Sequence, residues 1–181
     1  MYIWTGLVFN KNDEASIREI CKEINKKYKL NENSFTLPQH ISLKISFDAK
    51  EYEDIIEYVK SILENQMKIR VKIIGISKIN NGVIWLDAEE NQELRKIHNL
   101  LNEKLKEKYD VSLASFDGEK FKFHSTLFQD KSICDEHEPL IKELIDKIIF
   151  PFEIEMNEIN FGISEVCEVG TFKVVDSLIL K

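Results

Sequence analysis

Along this chain apolar positions recur with a period of either two or about 3.6 residues, and the switches between the two mark out strands and helices. Residues 2–9 are an almost unbroken run of branched and aromatic side chains, the pattern of a buried strand, ended by the turn-prone run 10–13. Ile17, Ile20, Cys21, Ile24 and Tyr28 then keep helical spacing, with Asn12 or Asp13 placed to cap the first turn. Residues 38–46 alternate strictly, Ile41, Leu43 and Ile45 on one face and His40, Ser42, Lys44 and Ser46 on the other. Asp48-Ala49-Lys50-Glu51 reads as a capping box before a second helix, whose buried stripe is Tyr52, Ile55, Ile56, Val59, Ile62 and Leu63. A third strand is predicted over 67–79, where Ile69, Val71 and Ile73 oppose Lys68, Arg70 and Lys72.

Asn80-Asn81-Gly82 is the strongest turn signal, and the order restarts after it. A strand over 83–88 precedes a helix over 90–109 that turns Leu94, Ile97, Leu101 and Leu105 inward. In the strand 120–128, Phe121, Phe123 and Leu127 oppose Lys120, Lys122, His124 and Thr126, with Ser125 a small polar interruption on the apolar side. A helix over 135–149 and a strand over 150–163 complete the second round, and 171–180 reads as an added strand without a counterpart. Ile3-Trp4 recurs as Ile84-Trp85, 81 residues on, and His40 recurs as His124, 84 residues on. These repeats predict one α+β domain over 1–181 with an internal duplication, about 1–80 and 82–163. It is expected to be bilobal: two antiparallel-rich β-sheet lobes, helices on their outer faces, and a central cleft between the matching histidine strands.

Composition narrows the partners. With 181 residues and 43% apolar side chains the chain can bury one core. Its net charge of −7, from 32 acidic against 25 basic residues, argues against holding long duplex nucleic acid by counterion release. A small nucleotide, a short oligonucleotide or one RNA end remains compatible, since a local basic pocket can sit on an acidic protein. Cys21, Cys134 and Cys167 are odd in number and lack C-x-x-C spacing, which favours reduced thiols in a cytoplasmic protein over disulfides or zinc. Residues 1–9 lack a basic leader, and no run approaches membrane-spanning length, so no engagement of membrane is expected; a monomer is the expectation for assembly, though nothing in the sequence identifies the oligomeric state.

The chain thus presents H-x-S and H-x-T on two strands, each histidine and hydroxyl sharing a face. Cleaving a phosphodiester requires one proton removed from the attacking oxygen and another delivered to the leaving oxygen. His40 and His124 facing across a phosphate can do both, because the unperturbed imidazole pKa of about 6.5 makes either form accessible. Ser42 and Thr126 are candidates for hydrogen-bonding the nonbridging oxygens, and Lys44 and Lys122 for offsetting the charge. The scheme calls for no metal and no cofactor. His98, beside a helix stripe, and His137, in an acidic run, read as structural or exposed, and Trp4 and Trp85 as core residues.

The pair His40-Ile41-Ser42-Leu43 and His124-Ser125-Thr126-Leu127, set in a duplicated chain of this size, resembles the two-histidine (2H) phosphoesterase superfamily, marked by H-x-[ST]-hydrophobic occurring twice. That group includes the so-called 2′-5′ RNA ligases and RNA-end cyclic phosphodiesterases. The resemblance covers essentially the whole chain. It implies metal-independent chemistry on 2′,3′-cyclic or 2′-5′-linked ribose phosphates, with His40 and His124 as the acid–base pair and Ser42 and Thr126 as phosphate binders. Serine replaces the commoner threonine in the first motif, and Ser125 stands where many members are apolar. Two rivals accompany this expectation: a phosphate-end binding module with little or no turnover, and reversible 2′-5′ ligation.

Overall fold

A computed structural model describes residues 1–79 and 82–181. In chain order the elements are β1 (Tyr2–Val8), α1 (Lys11–Tyr28), β2 (His40–Asp48), α2 (Tyr52–Leu63), β3 (Ile69–Ile79), β4 (Val83–Ala88), α3 (Gln92–Tyr109), β5 (His124–Gln129), α4 (Glu138–Lys147), β6 (Phe152–Met156), β7 (Glu158–Ser164) and β8 (Lys173–Ile179). Single 3-10 turns cover Asn33–Phe35, Gly118–Lys120 and Asp135–His137. The apolar stripes predicted for α1, α2 and α3 face inward and, with Leu140, Ile141 and Leu144 of α4, share one core with the inward side chains of both sheets; Ile145, expected to join them from α4, is exposed.

Local chemistry moves some boundaries. α1 is capped by Asn10, not by Asn12 or Asp13: its side-chain oxygen accepts from the backbone N–H of those two residues at 3.1 and 3.0 Å. The capping box expected before α2 does not form. Asp48 is instead the last residue of β2, paired opposite Tyr2, and Glu51 at the cap makes no side-chain bond to the helix. The turn signal at Asn80 and Asn81 lies outside the described residues. Gly82 after it has φ +82°, and a side chain there would meet the Asp130 carbonyl.

All strand pairings are antiparallel, in the orders β2-β1-β7-β8 and β5-β4-β3-β6. The two lobes are not the two halves of the chain. β3 leaves the first half to pair with β4, and β7 leaves the second half to pair with β1. The stretch predicted as one strand over 150–163 breaks at Asn157 for this reason, β6 staying in the second sheet and β7 joining the first. In each sheet the histidine strand lies at an edge, which leaves β2 and β5 free to meet across the lobes.

Candidate active site

Each motif keeps an unbroken register and is followed by an irregularity. His40, Ile41 and Ser42 pair with Val8, Leu7 and Gly6 in regular order, and the ladder shifts before Lys44. His124, Ser125 and Thr126 pair with Asp87, Leu86 and Trp85, and the ladder shifts before Phe128. Residues two apart within each motif therefore share a face, while the bulges re-aim what comes next. His40, Ser42 and Thr126 line one cavity of about 200 Å³, walled also by Trp4, Ser46, Leu37, Gln129 and Phe172. His124 stands two residues before Thr126 on the same face of β5, close enough for its charge to act on His40.

The two imidazoles are held alike. His40 Nδ1 lies 2.7 Å from the Pro38 carbonyl, and His124 Nδ1 lies 2.7 Å from the Lys122 carbonyl. A carbonyl oxygen only accepts, so Nδ1 carries the proton in both rings and the lone pair of the neutral form is on Nε2. Each ring also rests against a tryptophan. Trp4 meets His40 edgewise at 4.4 Å between centroids, whereas Trp85 stacks on His124 at 3.9 Å and 29°. These indoles were expected to fill the core. Trp4 does so, buried with Val8 and Phe172 in a small apolar cluster whose edge lines the cleft, whereas Trp85 is only half-buried, its neighbour Ile84 taking the core position.

Ser125 closes the seam between the lobes. It is fully buried; its Oγ donates to the His40 carbonyl at 2.6 Å and accepts from Gln39 Nε2 at 2.6 Å. Gln39, itself buried, also donates to the Thr126 carbonyl at 3.0 Å. One hydroxyl and one amide thus tie the backbone of one motif to that of the other. Sequence reasoning noted the polar break at Ser125 without assigning it a partner, and passed over Gln39 entirely. Asp87 was also missed: it lies across the ladder from His124, accepting from Trp85 Nε1 at 2.8 Å and from Ser77 Oγ at 2.6 Å.

Lys44 is a correction. The bulge after Ser42 takes it off the His40 face and into the interior, where it is only 3% exposed. Its ammonium donates to Asn102 Oδ1 at 2.7 Å and to Asp117 Oδ2 at 2.8 Å, which leaves it no route to a substrate phosphate. Beside that pair His98 is fully buried. Its Nδ1 donates to the Leu43 carbonyl at 2.8 Å, and its Nε2 accepts from the Gly118 N–H at 2.8 Å. Lys122 is exposed and lines the neighbouring groove with Lys120 and Arg95, outside the cavity that holds His40.

The environment makes the histidines unequal. Burial pushes His40 down to about 4; the Pro38 carbonyl opposes this, while the charges of His124 and Arg18 add to it. Burial also lowers His124, but there the Lys122 carbonyl and the Asp87 carboxylate both work to keep the proton on. Among the described residues no group of three or more His, Cys, Asp or Glu side chains forms a metal site.

Two edge-strand histidines with locked tautomers, two motif hydroxyls and a seam between antiparallel sheets define a phosphoesterase-type bilobal fold. The model of the 2′-5′ RNA ligase superfamily matches residues 11–165, and the chain belongs to that superfamily of 2H phosphoesterases and RNA ligase-like enzymes. Its structure resembles TT0787 of Thermus thermophilus, with a TM-score of 0.71 at 17% identity over 99% of this chain and 98% of that one. LigT of E. coli, solved in complex with ATP, gives a TM-score of 0.61 at 15% identity over 99% and 97% of the two chains. Usb1 of Kluyveromyces marxianus gives 0.50 at 13% identity over 99% and 98%. No curated protein matches. The α+β architecture of two antiparallel sheets is the one expected from the repeated strand and helix order.

Proposed function

We propose that this protein is a phosphodiesterase acting on 2′,3′-cyclic or 2′-5′-linked ribose phosphates, at an RNA end or in a small cyclic nucleotide, by two-histidine acid–base catalysis. The observation that carries the reading is the matched pair of Nδ1–H to carbonyl bonds, which leaves two Nε2 atoms free on strands joined at one seam. His40, the harder of the two to protonate, is the base. Its Nε2 takes a proton from water as the new P–O bond forms, and His124 Nε2–H gives its proton to the ribose oxygen whose bond to phosphorus breaks. Ser42 and Thr126 donate to the nonbridging oxygens, with Lys122 an outer contact for substrate charge. The scheme requires no metal. Crystals of LigT with 3′-AMP and with phosphate accord with a site for a nucleotide phosphate in this fold.

Everything the scheme uses comes from one chain, so the protein is proposed to act as a monomer. The three cysteines form no disulfide, and we place it in the cytoplasm on that ground. No described helix is long and apolar enough to cross a membrane. The test is incubation with 2′,3′-cyclic nucleotides and with RNA ending in a cyclic phosphate, in excess chelator. Turnover is expected, with His40→Ala and His124→Ala each losing about 10²- to 10⁴-fold while remaining folded. Nucleotide binding without product would replace the enzyme with a binding module, joining of RNA halves would favour ligation, and activity abolished by chelator would refute the metal-free scheme.

A further inference from the structure

The hydroxyl residues of the two motifs differ by one methyl group, and the two tryptophans differ in where their N–H points. Thr126 has a β-methyl, which restricts χ1, and its hydroxyl makes no hydrogen bond among the described residues; Trp85 Nε1 goes to Asp87 instead. Ser42 lacks that methyl, and it is here that the indole reaches the motif hydroxyl, Trp4 Nε1 donating to Ser42 Oγ at 3.2 Å. We infer that Trp4 is a positioning residue whose N–H fixes the Ser42 hydroxyl toward the cleft, doing for serine what the β-methyl does for threonine in the second motif. This rests on the phosphate-binding role proposed above for Ser42.

The seat of the indole is built for the purpose. Trp4 is 4% exposed and packs with Val8 and Phe172 in a small cluster apart from the main core. Gly162 is its cross-strand partner, and Gly6, two residues along β1 on the same face, is the partner of Ser42. A Cβ on Gly6 would overlap the indole, and one on Gly162 would lie 2.9 Å from it. The ring therefore lies flat across two residues without side chains and reaches Ser42 from below. Its N–H occupies an acceptor site of Oγ, so the hydroxyl proton is left to donate elsewhere. A fixed donor facing the cleft is what a nonbridging phosphate oxygen requires.

Freeing Ser42 restores a three-well χ1 rotor and a second rotor about C–O, at about threefold each. Trp4→Phe, which keeps a ring in the seat, is expected to raise KM for a 2′,3′-cyclic nucleotide about three- to tenfold. The same indole rests on His40, so kcat and the pH profile respond to Trp4→Phe as well, and the part that depends on the hydroxyl is isolated by the Ser42 variants. Adding Ser42→Thr to Trp4→Phe should recover most of the loss. In a Ser42→Ala background Trp4→Phe should have no further effect on KM, because no hydroxyl remains to position. A Trp4→Phe enzyme with unchanged KM, or Trp4→Phe and Ser42→Ala effects that simply multiply, would overturn the proposal. If Trp4→Phe does not fold, NMR couplings of Ser42 in the wild type decide: one χ1 rotamer supports it, averaging over three refutes it. If the wild type turns over no cyclic nucleotide yet binds inorganic phosphate, the same three- to tenfold change is read in the phosphate Kd. A wild type that neither reacts nor binds phosphate sinks the functional reading, and this inference with it.

Discussion

Replacing Ser125 by alanine removes one oxygen from a fully buried site and alters little else in volume. Both of its bonds, to the His40 carbonyl and from Gln39 Nε2, are 2.6 Å long and connect the start of β2 and the residue before it to β5. A buried hydrogen bond contributes about 0.5–1.5 kcal/mol net, so the pair is worth about 2 kcal/mol. Gln39 keeps its bond to the Thr126 carbonyl, so its amide is not stranded. For a chain of this size about 2 kcal/mol corresponds to a fall in Tm of about 4–8 °C, measurable by calorimetry or urea unfolding. Function should suffer more than stability. The bonds set the distance between the two motifs, and a misplacement of about 1 Å can cost about 10²-fold in rate. The expected result is a folded protein whose kcat/KM for a 2′,3′-cyclic nucleotide falls about ten- to hundredfold. A variant that loses about 4–8 °C and keeps full activity would show that the seam bonds hold the lobes together without aligning the histidines.

The pH dependence follows from the unequal imidazoles. His40 must be neutral to act, so kcat/KM falls as pH drops through about 4, and His124 must be protonated, so it also falls as pH rises through a pKa lowered from 6.5; the optimum lies on the acid side of neutrality. Stability is whole above the unfolded value of 6.5 and declines as pH falls toward 4, because unfolding releases His40 to take up a proton, an effect that acid titration of the unfolding midpoint reads directly. Asp87→Asn removes the carboxylate that favours the charged form of His124, and should move the alkaline limb of the rate profile to lower pH; an unmoved limb would separate Asp87 from His124. Lys44→Met leaves Asp117 buried without its cation and should cost about 3–5 kcal/mol in stability, measured by urea unfolding, while the phosphate affinity of the folded protein is unchanged.

The sequence by itself determined the order of helices and strands, apart from the break at Asn157, and the chemistry-bearing pairs. Period-two alternation is a backbone property, so it put His40 with Ser42 and His124 with Thr126 on common faces wherever the ladder is regular, and helical spacing identified the stripes of α1, α2 and α3. Lys44 escaped that logic because the ladder shifts between Ser42 and Lys44 and turns Lys44 inward, and a bulge depends on the partner strand, which no local pattern encodes. Only the tertiary structure decided that β3 and β7 cross between lobes, since hydrogen bonding along a strand is satisfied equally by any edge of matching length. The same holds for Ser125, Gln39 and Asp87. Their roles come from groups tens of residues away along the chain or across a strand pairing, as Asp87 meets Ser77 and His124, and a hydroxyl, an amide or a carboxylate carries no mark of such a partner until folding brings the two together.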